Sequence, residues 1–333
     1  MIKILELFGG IGSPRKALIN LGVDHKAIDY VEIDEKAVRA YNALYDNRYK
    51  PQSVIDYDLR PDILIHGSPC QDFSRAGQRL GGKDEDKTRS SLMWETLRII
   101  EHMGSWKPKY VVWENVKGVL DKDMIQSFNK YLTRMKELGY TNSFEVLNAI
   151  DYGIPQRRER VFTISIFGNA AFDFSKLQHK PMRHIHEFLE KDVIAPQYMI
   201  NIPSMLNRIE EFNPEAHKKY RCLDVIEDSC WTISTRQDRC PNAGIIRMKN
   251  SQYRYLTERE CWRLMGFEDC DFEEVLKEYP TKSNKRNSTI YKLAGNSIVV
   301  QVLEAIFEVL LKEDFETDII SDSSGQLQLQ LIC

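Results

Sequence analysis

At 333 residues the chain can fill one large domain or two smaller ones, and its 46 basic against 49 acidic side chains leave a formal net charge of −3. Apolar residues make up 42%, no run reads as membrane-spanning, and residues 1–8 look like a first strand rather than a signal peptide, so neither a bilayer protein nor an exported one is expected. The seven cysteines show no CxxC or Cys/His zinc spacing, which argues against a metal and for free thiols in a reducing, cytoplasmic compartment.

In chain order, β-like runs at 2–7, 27–33, 62–66, 110–113, 141–148 and 161–167 alternate with helical patterns. In 92–103, for example, Leu92, Thr96, Ile99, Ile100 and Met103 keep a helical period. Such alternation predicts a doubly wound, mostly parallel α/β sheet. A Tyr152-Gly153-Ile154-Pro155 turn interrupts the rhythm. From 173 to 284 the periodicity weakens and prolines punctuate the chain, which suggests a smaller inserted domain. The amphipathic stretch 299–311 then returns to the first core, giving a discontinuous domain of 1–172 plus 285–312. Residues 313–333 read as a frayed tail.

Chemistry concentrates at the ends of the apolar runs. Phe8-Gly9-Gly10-Ile11-Gly12 follows the first, with Ser13 as a helix cap and Pro14 as the first helical residue. Arg15 stands where a nicotinamide-cofactor fingerprint wants a third glycine. Glu32 ends the second run, where a carboxylate can accept two ribose hydroxyl bonds. Cys70, in Gly67-Ser68-Pro69-Cys70-Gln71, follows Ile63-Leu64-Ile65. Glu114 ends the run through Trp113, and Gln156-Arg157-Arg158-Glu159-Arg160 comes after. Alone, a cysteine is ordinarily an inert buried residue and an Arg/Glu cluster a solvated surface. A thiol, a carboxyl and paired guanidiniums on neighbouring strand ends together suit covalent attack on a flat, electron-poor, carbonyl-bearing ring.

These segments in this order resemble the DNA (cytosine-5) methyltransferase family. Arg254-Tyr255-Leu256-Thr257-Glu258-Arg259-Glu260 and Tyr291-Lys292-Leu293-Ala294-Gly295-Asn296-Ser297 resemble its later motifs. The resemblance implies a class I S-adenosylmethionine-dependent methyltransferase fold, Rossmann-like, with a target-recognition domain at 173–284. It implies S-adenosyl-L-methionine as cofactor, lined by Phe8, Gly10, Ile11, Gly12, Ile33, Pro69 and Leu92. Glu32 would hold the ribose, Asp56 the adenine amino group, and Asn296 with Ser297 would close the pocket. Glu6 stands where the family usually has Asp, and Ile33 where it often has an aromatic.

It further implies that Cys70 attacks carbon 6 of a flipped cytosine, that Glu114 serves N3, that Arg160 holds O2 and that Arg158 orients the Cys70 side. The expected partner is double-stranded DNA, with room for a cognate restriction endonuclease, and the protein is expected to act as a monomer. Gln71, Ser74 and Gln78 are candidates near the flipped nucleotide, and Arg75 and Arg79 for phosphates. Thr235, Arg236, Gln237 and Arg239 are candidates for recognition, with Arg254 a further DNA contact. The rival readings are the same chemistry on tRNA, a catalytically silent DNA-binding relative, and a nicotinamide-dependent oxidoreductase, the last disfavoured by Arg15.

Overall fold

The computed structural model describes residues 1–55, 60–68, 92–209, 213, 222–249 and 251–312, and the backbone of 316–321 and 327–332. Asp56, Pro69, Cys70, Gln71, Ser74, Arg75, Gln78 and Arg79 lie outside the described residues.

The first 168 residues run β1 (Ile2–Leu7), α1 (Ser13–Asn20), β2 (His25–Val31), α2 (Glu35–Tyr45), β3 (Ile63–His66), α3 (Met93–His102), β4 (Tyr110–Val116), α4 (Ile125–Glu137), β5 (Tyr140–Asn148), β6 (Gln156–Arg157) and β7 (Glu159–Phe167). Six of the strands form one sheet in the order β2-β1-β3-β4-β7-β5. β1 to β4 are parallel, and β7 lies antiparallel between β4 and β5. The alternation of strands and helices predicts the parallel half. The reversal at β7 follows from the short return through the Tyr152-Gly153-Ile154-Pro155 turn, which has no room for a crossover helix.

Strand side chains alternate faces, and the core divides accordingly. Ile4, Ile63, Ile65 and Val112 pack with Ala17 and Leu18 of α1 on one face. Leu5, Leu64, Val111 and Trp113 pack with Met93, Ile100, Phe128 and Tyr131 of α3 and α4 on the other. Covering both faces is what near-continuous apolar strands demand, each such side chain contributing about 1.5–3 kcal/mol on burial.

Beyond β7 the elements are α5 (Pro203–Leu206), β8 (Cys230–Trp231), β9 (Ile246–Arg247), β10 (Tyr253–Arg254), α6 (Glu258–Arg263), α7 (Asp269–Glu278), α8 (Ser288–Asn296) and α9 (Val300–Lys312). Ile200, Ile209, Leu223, Ile245, Tyr253 and Tyr255 form a small core of their own. Residues on both sides of the expected boundary at 284 share the large core. Cys261 and Trp262 of α6, and Phe272 and Val275 of α7, join the core of the large sheet, and Lys16 of α1 pairs with Asp271 at 2.8 Å. The large core also takes in Ile185, Phe188, Cys230, Ile233, Ala243 and Ile246. The run Ser288–Lys312 is long and apolar enough to cross a membrane by composition, contrary to expectation, but 72% of its most apolar window is buried in the protein. The tail also differs from expectation: β11 (Glu316–Ser321) pairs antiparallel with β12 (Leu327–Ile332), and the period-two alternation of Leu-Gln-Leu-Gln-Leu is the signal for it.

Candidate active site

The turn after β1 is shaped by backbone conformation. Phe8 (φ 55), Gly10 (φ 55) and Gly12 (φ 74) all take the left-handed region, which for phenylalanine is uncommon and strained. A Cβ at Gly9 would meet the Tyr30 ring at 2.6 Å, and one at Gly12 the Tyr41 ring at 2.5 Å, whereas at Gly10 the space is open. Tyrosines thus press the turn from behind and leave its front clear. They also hold it by hydrogen bonds: the Tyr30 hydroxyl donates to the Gly10 carbonyl and the Tyr45 hydroxyl to the Gly12 carbonyl, both at 2.6 Å. Arg15 belongs to the same support, its guanidinium 4.7 Å from the centre of the Tyr45 ring. Gly12, not Ser13, is the N-cap of α1. The Ser13 hydroxyl lies instead 2.7 Å from that of Ser297, tying this helix start to the closing motif.

Glu32 sits against the turn. Its Oε2 accepts from the Gly10 amide (3.2 Å) and its Oε1 from the amides of Ile33 (2.8 Å) and Asp34 (2.9 Å). Burial raises its pKa, and those amide bonds pull the other way. Ile33 beside it is 74% exposed. Glu6 is fully buried, with Oε1 accepting from the Tyr41 hydroxyl at 2.7 Å. Burial pushes its pKa up to about 7, and its Oε2 has no hydrogen-bond partner among the described residues. Phe8, Gly10, Ile11, Glu114, Asn296 and Ser297 line one cleft, with Glu6 at its base.

β4 and β7 set the second half of the site. Their antiparallel register places Val116 opposite Arg160, two positions from Glu114. Arg160 Nε lies 3.0 Å from Glu114 Oε1, with side chains 16% and 13% exposed. In such a partly desolvated place a charge-assisted pair is stronger than on a surface. A Cβ on Gly67 would lie 3.7 Å from Glu114 Oε2, and Trp113 Nε1 donates to Ser68 Oγ at 3.1 Å. Gly67 therefore lies by the acid and Ser68 by the Trp113 indole. Beneath them His66 stacks parallel to Trp113 and meets the Tyr131 hydroxyl at 3.0 Å. Burial lowers its pKa to about 3, so the ring is neutral.

Arg158 is buried and acts as a brace. It donates to the carbonyls of Ile233 (3.0 Å), Gly295 (3.2 Å) and Ser297 (2.7 Å). A Cβ on Gly295 would come within 2.4 Å of the Thr235 amide, so only glycine lets the two segments approach this closely. Leu92, just ahead of α3, is half-buried against the opposite core.

The recognition candidates divide. Arg236 and Arg239 are exposed and Thr235 half-buried. Gln237 is buried and not on the surface: its Oε1 accepts from the Ala243 amide at 3.2 Å, and its Nε2 has no hydrogen-bond partner among the described residues. Arg254 also needs correction: it is buried in a two-pronged pair with Glu260, both bonds 2.8 Å. Glu260 is in turn the third residue of the capping box that starts α6. A separation of six residues is not a helix-face spacing, so the sequence carries no local signal for this pairing. The tyrosine support and the bracing role of Arg158 have no local signal either.

A family model described as C-5 cytosine-specific DNA methylase matches residues 2–312. The chain is 32% identical to a type II methyltransferase, M2.ScrFI, of Lactococcus lactis subsp. cremoris, over 94% of this chain and 99% of that protein. It is 36% identical to an orphan methyltransferase, M.SPRI, of Bacillus phage SPR, over 93% and 97%. Among solved structures, the Dnmt2 methyltransferase of S. pombe superposes with a TM-score of 0.73 over 94% of this chain and 99% of that one. At 24% identity this likeness speaks for the fold alone.

Proposed function

This chain belongs to the C-5 cytosine-specific DNA methylase family and is a DNA cytosine methyltransferase; on that premise we propose that it takes the methyl group from S-adenosyl-L-methionine and acts through Cys70 on a cytosine turned out of duplex DNA. The observation that carries the reading is the Glu114–Arg160 pair, whose Glu114 stands by Gly67 at the start of the Cys70 segment and shares a cleft with the glycine turn.

The residues present fit the cofactor. The turn is open at Gly10, Glu32 stands beside it, and the unpartnered Glu6 oxygen at the cleft base suits a cationic group. Phe8, Gly10, Ile11 and Gly12 would hold its amino-acid end, Glu32 its ribose hydroxyls, and Ile33 and Leu92 would flank the adenine with Asp56 and Pro69. Asn296 and Ser297 would close over it. When bound, S-adenosylmethionine supplies an electrophilic methyl group on a sulfonium sulfur.

Carbon 5 of cytosine is a poor nucleophile. The Cys70 thiolate adds to carbon 6 and pushes an electron pair toward carbon 5 and N3. Glu114 holds a proton at N3, and Arg160 stabilises the charge that develops at O2. Arg158, fixed by three carbonyls, keeps the Ile233 segment and the closing motif in place. After transfer, the carbon 5 proton passes to solvent, its electron pair re-forms the carbon 5–carbon 6 double bond, and the Cys70 sulfur departs as thiolate. Reaching the base costs a few kcal/mol of lost stacking and pairing, and Arg75, Arg79, Arg236 and Arg239 are placed in the sequence to meet the backbone around it.

Labelled cofactor with duplex DNA or tRNA tests the reading directly: label is expected in DNA. Duplexes carrying 5-fluorocytosine at the target should trap a covalent complex with the native chain and none with Cys70→Ala. Near-native turnover of Cys70→Ala would refute the covalent route.

A further inference from the structure

The strand pairing that turns Arg158 inward turns its neighbour outward. β6 and β8 pair in parallel, Gln156 opposite Cys230 and Arg157 opposite Trp231. Gln156 and Cys230 are buried, so by alternation Arg157 and Trp231 share the open face, and the Trp231 residue is 48% exposed. The pair is held in place. The Arg157 guanidinium stands 5.3 Å from the centre of the indole, its Nε donates to Ser229 Oγ at 3.1 Å, and the Trp231 amide donates to the Ala243 carbonyl at 2.9 Å.

Both side chains line an open cleft of about 600 Å³ that also takes in Lys117, Glu159, Arg160 and Thr232. Its one carboxylate among the described residues, Glu159, is paired with Lys117 at 3.0 Å. The cleft is therefore net positive, has one large aromatic face, and is bordered by the arginine that pairs with Glu114. A positive groove with an aromatic platform is the chemistry that receives an unstacked nucleobase.

Resting on the proposed action on duplex DNA, we infer that Trp231, backed by Arg157, is a stacking platform for a nucleobase beside the extruded cytosine, either a neighbour on its strand or the guanine left without a partner. Turning one base out exposes the faces of those that remain, and an indole fixed at the mouth of the pocket covers such a face without reading its identity. Trp231 then acts in holding the opened duplex, not in bond making.

With the target sequence mapped by bisulfite sequencing, duplexes carrying 2-aminopurine 5′ to the target, 3′ to it, or opposite it separate the sources. Wild-type full-length protein is expected to quench the probe at one of these positions. Trp231→Ala and Trp231→Leu should both lose that quench and raise the KM for DNA roughly tenfold, the loss of a single base–aromatic stack, with the cofactor KM unchanged. Trp231→Phe should retain most of both. Trp106, 62% exposed and set against Arg60, is the control: Trp106→Phe should change nothing. Unchanged quenching and KM in Trp231→Ala and Trp231→Leu would overturn the inference while leaving the transfer reading intact. Absence of wild-type turnover would overturn both.

Discussion

The wall of the cleft that carries the glycine turn, Glu32 and Glu114 grows out of a six-stranded sheet covered on both faces. The segment with Arg236 and Arg239, taken as a second wall, follows a strand only two residues long and reaches the same large core through Ile233 and Ala243. The first wall fixes its groups through strand register and buried tyrosines. The second is held through Ile233 and Ala243, buried in the large core, and by hydrogen bonds from Arg158 to the Ile233 carbonyl and from the Ala243 amide to Gln237. Regular structure sits where atoms must meet within tenths of an ångström, and loops sit where a surface must suit a particular sequence.

If the two walls have separate tasks, substitutions on them should separate in the assay. The largest effect is expected from Glu32→Ala, which removes a carboxylate placed for two ribose hydroxyls. Cofactor affinity should fall roughly 10- to 100-fold, the worth of hydrogen bonds to a charged group, with DNA affinity little changed in titrations of each ligand alone. Joint movement of both affinities would mean that the walls are coupled through Arg158 and are not independent. A smaller effect is expected from the double variant Arg236→Ala, Arg239→Ala. DNA binding should weaken several-fold, and the salt dependence should become shallower by about one unit for each phosphate no longer neutralised, with cofactor affinity unchanged. An unaltered salt slope would remove both arginines from the interface.

The smallest effect concerns Glu6. Its carboxyl is neutral over a range where the unfolded chain has already released the proton, because burial raises its pKa from 4.5 to about 7. The native state binds more protons in that window, so this contribution is complete below pH 4.5 and is lost as the pH rises toward 7. Glu6→Gln stays neutral throughout and should flatten that slope, leaving Tm on the order of a few degrees higher at neutral pH. An unchanged pH profile would show that the orphan oxygen is satisfied in solution.

The strands of the parallel half, the glycine turn and the placing of Glu114 and Arg160 near strand ends are legible in the sequence because each rests on local pattern: apolar runs, glycine where φ is positive, polar residues at strand ends. Gln237 and Arg254 read as surface contacts because residue type alone does not report depth. One is buried against Ala243 and the other against Glu260, and only the fold decides this. The packing of α6 and α7 is likewise decided by the fold: both join the large core, and α7 is tied to α1 through Lys16–Asp271 and to α2 through Arg39–Glu278.

By itself, then, the sequence determined the order of chemical groups along the chain and the alternation that builds a sheet able to present them at strand ends. Tertiary structure alone decided that Tyr30, Tyr41 and Tyr45 support the glycine turn, that Arg158 joins Ile233 to Gly295 and Ser297, and that Trp231 faces the cleft. Those contacts join residues up to 139 positions apart, and a local pattern carries no record of a partner that only folding brings near.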